Sequence, residues 1–262
     1  MTVNLSLSGR RALVCGASAG IGQAAALALA GCGASVVVLA RRADRLEALL
    51  PALEAAGAPS ARALVADLDD REGLRAKVTA LLESGPVHVL VNNTGGPPGG
   101  PLLKASESEL LTALGRHLLA SHLLAQLLVP GMEAAGYGRI INVISTSVRE
   151  PIPNLGVSNT TRGAVASWAK TLSRELPQGV TINNVLPGFT DTERLDGLRA
   201  AVAARTGKSL DEAQAAWMAQ VPEGRLGRPE ELAAAIAFLA SPAGAFIRGV
   251  SLPVDGGRLR GI

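Results

Sequence analysis

Short apolar runs alternate along this chain with longer stretches in which leucine and alanine recur at helical spacing. The runs at 11–15 (RALVC), 35–40 (SVVVLA), 63–66, 87–91 (VHVLV), 139–144 (RIINVI), 180–186 and 250–254 have strand length. Between them, residues 21–30, 44–56, 74–82, 158–176 and 230–240 read as helices, and 107–132 as one or two more. In 44–56 the residues Leu46, Leu49, Leu50 and Leu53 fall at i, i+3, i+4 and i+7. Strands that are apolar without alternation, each followed by a helix, predict an α/β fold. Its core is a doubly wound parallel sheet buried by helices on both faces. Residues 191–227 break the rhythm, being polar and glycine-punctuated around a helical middle. They read as an insertion over the site, which leaves 1–262 as a single domain.

In a sheet of this kind ligands sit beyond the carboxyl ends of the strands. Candidate chemistry therefore lies just after each run. After the first comes Gly16-Ala17-Ser18-Ala19-Gly20-Ile21-Gly22. Glycines there allow a tight turn and a close approach of phosphate, and the helix that follows offers free N–H groups at the positive end of its dipole. The same run would also serve as a plain strand-to-helix turn. The second strand ends at Arg41-Arg42, where a dinucleotide-binding sheet meets the adenosine ribose. A carboxylate there would suit a free 2′-hydroxyl. Guanidinium suits a 2′-phosphate, with the Ser18 hydroxyl beside it, so NADP is preferred to NAD. Asp67 follows the third strand and can accept from an adenine amino group or cap the next helix.

Composition narrows the partners. The chain has 25 basic and 22 acidic residues, for a net charge of +3, with no basic run. Its six aromatics (2 Trp, 1 Tyr, 3 Phe) are too few for a base-stacking platform, which disfavours nucleic acid. Cys15 and Cys32 form no CxxC or Cys/His cluster, so neither a metal nor a disulfide framework is expected. The most lipophilic stretch, 110–129, is interrupted by Arg116, His117, His122 and Gln126. The opening residues 1–10 lack the apolar core of a signal peptide. A cytoplasmic protein that does not span a membrane is expected.

With Gly16/Gly20/Gly22, Asp67, Asn92-Asn93-Thr94-Gly95, Pro187-Gly188 and the closing Gly249 to Gly257 segment, the chain resembles the short-chain dehydrogenase/reductase family over nearly its whole length. The resemblance implies a Rossmann domain, a nicotinamide cofactor, a small-molecule carbonyl or alcohol substrate of the 3-oxoacyl kind, and a homotetramer or homodimer. It assigns Gly16, Ser18, Gly20, Ile21 and Gly22 to the pyrophosphate and ribose. Arg41 takes the NADP-selecting position, with Arg42 beside it. Asp67 and Leu68 fall to the adenine, Asn92, Asn93 and Gly95 to the turn under the cofactor, and Pro187, Gly188 and Thr190 to the nicotinamide amide.

The chain departs from that pattern at the proton-transfer positions. Ser145 matches the family serine, with Ser147 competing. Ser158 stands where tyrosine is expected, Arg162 where lysine is expected, and His117 where asparagine is expected. Serine is a poor general acid, and Arg162 stays protonated. His117 is the one group there whose ordinary pKa is near neutrality. Tyr137 lies at the wrong end of the fifth strand, and Lys170 is eight residues beyond Arg162. The sequence leaves open a reductase with an altered proton path and a non-catalytic NADP(H)-binding sensor or partner subunit. In or beside 191–227, Phe189, Leu195, Leu198, Trp217, Met218 and Val221 are expected to form an apolar lid over the substrate. Arg194, Arg199 and Arg205 are candidates to meet an acidic substrate, and the apolar 110–129 stretch is a candidate subunit contact.

Overall fold

The computed structural model describes residues 3–261. Strands β1 (Arg11–Cys15), β2 (Ser35–Ala40), β3 (Ala61–Val65), β4 (Val89–Asn92), β5 (Gly138–Val143), β6 (Val180–Pro187) and β7 (Ser251–Val254) form a sheet in the order β3-β2-β1-β4-β5-β6-β7. Every pairing is parallel. The order reverses between β1 and β4, which opens a crevice at their carboxyl ends.

The middles of β1 and β2 are apolar on both faces because successive side chains feed two different cores. Ala12 and Val14 of β1, with Val36 and Val38 of β2, pack against helices α1 (Gly20–Gly31), α2 (Ala43–Ala56) and a late C-terminal helix, Pro229–Ala240. Leu13, Cys15, Val37 and Leu39 point the other way. They meet α3 (Arg71–Leu82) and the helices that precede and follow β5. The helical elements after β4 are α4 (Glu107–Leu114), α5 (Ala120–Ala134), α6 (Gly156–Glu175), α7 (Glu193–Thr206), α8 (Leu210–Met218) and α9 (Pro229–Ala240).

The structure resolves what periodicity left open. Between α4 and α5 the chain makes one π-helical turn, Gly115–Leu119, so 107–132 is two helices joined without a break. Ser106 starts α4 with a reciprocal cap to Glu109. Residues 191–227 contain two helices, where a single helical middle is expected from the sequence. Thr192 caps α7, and Ser209 caps α8 with Glu212. Asp67 does not cap α3; Asp70 does, accepting from the Gly73 N–H. Among the described residues no helix is long and apolar enough to cross a membrane.

A row of side-chain amides crosses the sheet below the crevice. Asn92, Asn142, Asn184 and Ser251 lie opposite one another on β4, β5, β6 and β7. Asn92 Nδ2 donates to Asn142 Oδ1 at 2.9 Å, Asn142 Nδ2 to Asn184 Oδ1 at 2.9 Å, and Asn184 Nδ2 to the Ser251 hydroxyl at 3.0 Å. Buried polar groups are tolerated when each finds a partner, and these do so in sequence.

Candidate active site

One cleft of about 910 Å³ lies over the carboxyl ends of the strands, near the upper end of the range for small-molecule sites. Its floor at one end is the turn after β1. Gly16 and Gly20 both have positive φ. A Cβ on Gly16 would lie 2.6 Å from the Asn93 carbonyl oxygen, and one on Gly22 would lie 2.2 Å from the Gly16 carbonyl oxygen. The turn therefore closes onto both α1 and the β4 loop only with glycine. The N-cap of α1 is Ala19, which offers no side-chain acceptor, and no acid lies in the first turn. The positive helix end thus faces the cleft without an internal counter-charge, which fits a diphosphate.

At the same end Arg42 Nη2 donates to Ser18 Oγ at 3.0 Å, which fixes guanidinium and hydroxyl side by side for a phosphate monoester. Arg41 is mostly exposed and lies 3.9 Å from Asp67 Oδ2. Asp67 and Leu68 line the cleft beside them. These groups fit the adenosine 2′-phosphate half of NADP.

The opposite end is built by the turns after β4, β5 and β6. Asn93 donates to the carbonyls of Cys15 and Gly16, tying the β4 turn to the glycine turn. Gly95 lines the cleft, and a Cβ there would meet nothing within 4 Å. Pro187, Gly188 and Thr190 form the β6 side. Ser145 and Ser158 face the cleft from β5's end and from α6, whereas Ser147 is buried with an unpartnered hydroxyl and does not line it. Arg162 Nε approaches Ser158 Oγ at 3.4 Å, and its Nη1 is held by the Val143 and Ile144 carbonyls at 3.1 and 2.9 Å. Burial, with Arg194 nearby, pushes the Arg162 pKa down to about 10.

Gly22, Asn92 and His117, expected in the cleft, line no part of it. Gly22 is packed against Gly16. Asn92 is held in the amide row. His117 sits in the π-helical turn, with Asn92 and Asn142, on a separate cavity of about 20 Å³ that has room for one water. Burial and the guanidiniums of Arg162 and Arg116 push its pKa down to about 3. The expectation of a group titrating near neutrality is therefore not met; the imidazole is neutral at pH 7. Tyr137 is remote, its hydroxyl donating to the Ala240 carbonyl at 2.6 Å between the Arg10 and Arg139 guanidiniums. Lys170 Nζ is occupied by the Gly249 carbonyl.

Residues 16–258 match the family model described as enoyl-(acyl carrier protein) reductase. The chain belongs to the short-chain dehydrogenase/reductase family. It is 36% identical over 257 residues to 3-oxoacyl-(acyl-carrier-protein) reductase FabG of Vibrio cholerae, covering 97% of this chain and 98% of that protein. Gluconate 5-dehydrogenase of Gluconobacter oxydans is 34% identical over 255 residues, with 96% and 95% covered. The solved structure of L-sorbose reductase from Gluconobacter frateurii, complexed with NADPH and L-sorbose, superposes with a TM-score of 0.92 at 29% identity. The match covers 99% of this chain and 100% of that one.

Thr192 and Arg258 are among the cleft residues that escape a sequence reading. Thr192 lies against the glycine turn, its Cγ2 3.2 Å from where a Cβ on Gly20 would stand, and it lines the cleft. Its position before a helix with acidic first-turn residues is the signal that was available. Phe189 and Trp217 stack with centroids 5.1 Å apart, and Leu195 and Leu198 line the cleft near them. Met218 and Val221 do not; Val221 is buried against Gly256. Of the expected arginines, Arg194 and Arg205 line the cleft. Arg199 is turned away, bonded to Gln214 and Asp196. Arg258 lines the cleft as well, with its guanidinium over Phe189.

Proposed function

We propose that this protein is an NADP-dependent oxidoreductase acting between a carbonyl and an alcohol, of the 3-oxoacyl-reductase-like kind, with an unusual proton-transfer site. The observation that carries the reading is the continuity of the cleft. It runs from the Arg42–Ser18 pair, over an α1 N-terminus with no acid in its first turn, to Ser145, Ser158 and Arg162. NADP, when bound, supplies or accepts the hydride at its nicotinamide ring. Gly16, Gly20 and Ile21 would hold the diphosphate, and Arg41, Arg42 and Ser18 the 2′-phosphate. Asp67 and Leu68 would meet the adenine. Asn93 and Gly95, with Pro187, Gly188, Thr190 and Thr192, would seat the nicotinamide half. Gly22 and Asn92 act from behind, by shaping the turn and fixing the strand end.

At the reacting end the hydroxyls of Ser145 and Ser158 orient a substrate oxygen. Arg162 Nε points at Ser158 Oγ, so the Ser158 proton is free to donate into the cleft. The Arg162 charge stabilises negative charge developing on that oxygen. Among the described residues lining the cleft there is no histidine, tyrosine, lysine or cysteine. The proton therefore comes from water through a hydroxyl, with His117 as a neutral hydrogen-bonding group behind. General acid–base catalysis supplies about 10²–10⁴-fold where a matched group exists, so slow turnover is expected here. Residues 191–227 act as the lid, with the Phe189–Trp217 stack on its inner side. Subunits pair through the apolar surface that includes Leu111 and Leu119, giving a homodimer or homotetramer.

The same lack of a matched acid favours a second reading, an NADP(H)-binding sensor or partner subunit without turnover. Nicotinamide absorbance, followed with NADPH and a panel of ketones, oxo acids and acyl thioesters, separates the two. Turnover abolished in Arg162→Ala supports the enzyme. Saturable NADPH binding with no turnover across the panel supports the sensor. A gain of activity in Ser158→Tyr/Arg162→Lys supports the assignment of those two positions.

A further inference from the structure

The reacting end of the cleft holds more positive charge than a neutral carbonyl compound calls for. Arg41, Arg45 and Arg116 each face a carboxylate, from Asp67, Glu193 and Asp69 respectively. Among the described residues Arg162 and Arg194 face none. Arg162 spends Nε on Ser158 and Nη1 on two carbonyls, which leaves its Nη2 unpaired. Arg194 Nη2 donates to the Pro97 carbonyl at 2.6 Å. The two Nη2 groups converge on one point. A Cβ on Gly96 would stand 3.2 Å from the Arg194 Nη2 and 3.5 Å from that of Arg162. A glycine at this place keeps the space beside both guanidiniums clear. Glu193, next in sequence to Arg194, is drawn away by Arg45 at 3.0 Å.

Two like charges brought together in a partly buried wall raise the free energy of the empty site, and a bound anion relieves it. Arg162 also touches Ser158, so the anion and the substrate oxygen are separated by about the width of one guanidinium. A 2-oxo or 3-oxo acid spans that separation.

We propose that the substrate is a carboxylate-bearing carbonyl compound or the matching hydroxy acid, its carboxylate held by Arg162 and Arg194 beside Gly96 while its reacting oxygen lies at Ser145 and Ser158. This deepens the oxidoreductase reading and rests on it. The alternative occupant of the two arginines is a phosphate, free or from the cofactor.

Calorimetric titration with NADPH tests the oxidoreductase reading alone. The anion site is tested by titrating cofactor-free and NADPH-loaded protein with 2-oxo and 3-oxo acids, their methyl esters and inorganic phosphate. At least one acid binds about tenfold or more tightly than its ester, and Arg194→Gln weakens it by about tenfold to a hundredfold. Should Arg194→Gln fail to fold, Gly96→Ala, which fills the gap between the guanidiniums, gives the same loss. Equal binding of acids and esters overturns the proposal. So does phosphate binding as tightly as every acid, or an Arg194→Gln variant that loses NADPH but not the acids. An acid preference that stands without any NADPH binding keeps the anion site and removes the oxidoreductase reading.

Discussion

His117 should make the protein lose stability on mild acidification, beginning at a pH above that at which its carboxylates titrate. In the unfolded chain the imidazole has its ordinary pKa of 6.5, whereas in the fold burial and the Arg162 and Arg116 charges push it down to about 3. Between those values the unfolded state takes up a proton that the folded state refuses, so stability falls as pH falls. Each pH unit costs about 1.4 kcal/mol. At pH 6.5 the unfolded imidazole is already half protonated, so over the two units down to 4.5 the loss is about 2 kcal/mol, a large share of a typical domain's stability. The measurement is urea unfolding of wild type and His117→Gln at about pH 6.5 and pH 4.5. That window stops short of the pH at which Asp69, whose carboxyl Arg116 holds low, loses its own contribution. His88, also held low by burial, adds a drop of the same sign in both proteins and cancels in the comparison. Wild type should lose about 2 kcal/mol more than the variant. Equal losses would mean that the folded imidazole accepts a proton in this range. Its burial against two guanidiniums would then not control it, and a protonated His117 would return as a proton donor.

Other consequences are as direct. Arg42→Ala should weaken NADPH by about tenfold or more and leave NADH nearly unchanged, since only the former carries the phosphate that Arg42 and Ser18 fit; paired calorimetric titrations check it. Gly22→Ala puts a methyl 2.2 Å from the Gly16 carbonyl oxygen and should cost about 1–3 kcal/mol, seen as a lower Tm together with loss of NADPH binding. Tyr137→Phe removes the hydroxyl that serves the Ala240 carbonyl. It should cost about 1 kcal/mol in urea unfolding while NADPH affinity holds, in keeping with a structural tyrosine.

The strands were legible because a sheet covered on both faces leaves no polar alternation to confuse the pattern. Residues such as Ala12 to Cys15 are buried whichever way they point. Errors of a residue or two at strand ends, as at β3 and β4, reflect pairing that depends on the neighbouring strand. The π-helical turn at Gly115–Leu119 was invisible, because the shift of face it introduces is masked in a stretch that is apolar on more than one side. The lining of the cleft at the glycine turn was readable from short-range spacing, since that turn carries its own geometry. The lining at the other end was less so. Arg162 and Arg194 lie on different helices and meet only because Gly96 leaves room between them, while Arg199, of the same type and on the same helix as Arg194, is tied away by Gln214. Spacing along the chain does not separate those two fates.

The head-to-tail row of Asn92, Asn142 and Asn184, ending on the Ser251 hydroxyl, has a polarity: each amide gives its amino group toward β7, and Asn142 and Asn184 take on their oxygens from the β4 side. Turning one around would set amine against amine or oxygen against oxygen, so the row reverses as a whole or not at all. The serine hydroxyl at its far end can rotate and is the one member free to adapt. The orientation of Asn92, next to the β4 turn, is thereby coupled to that of Asn184 on β6, two strands away.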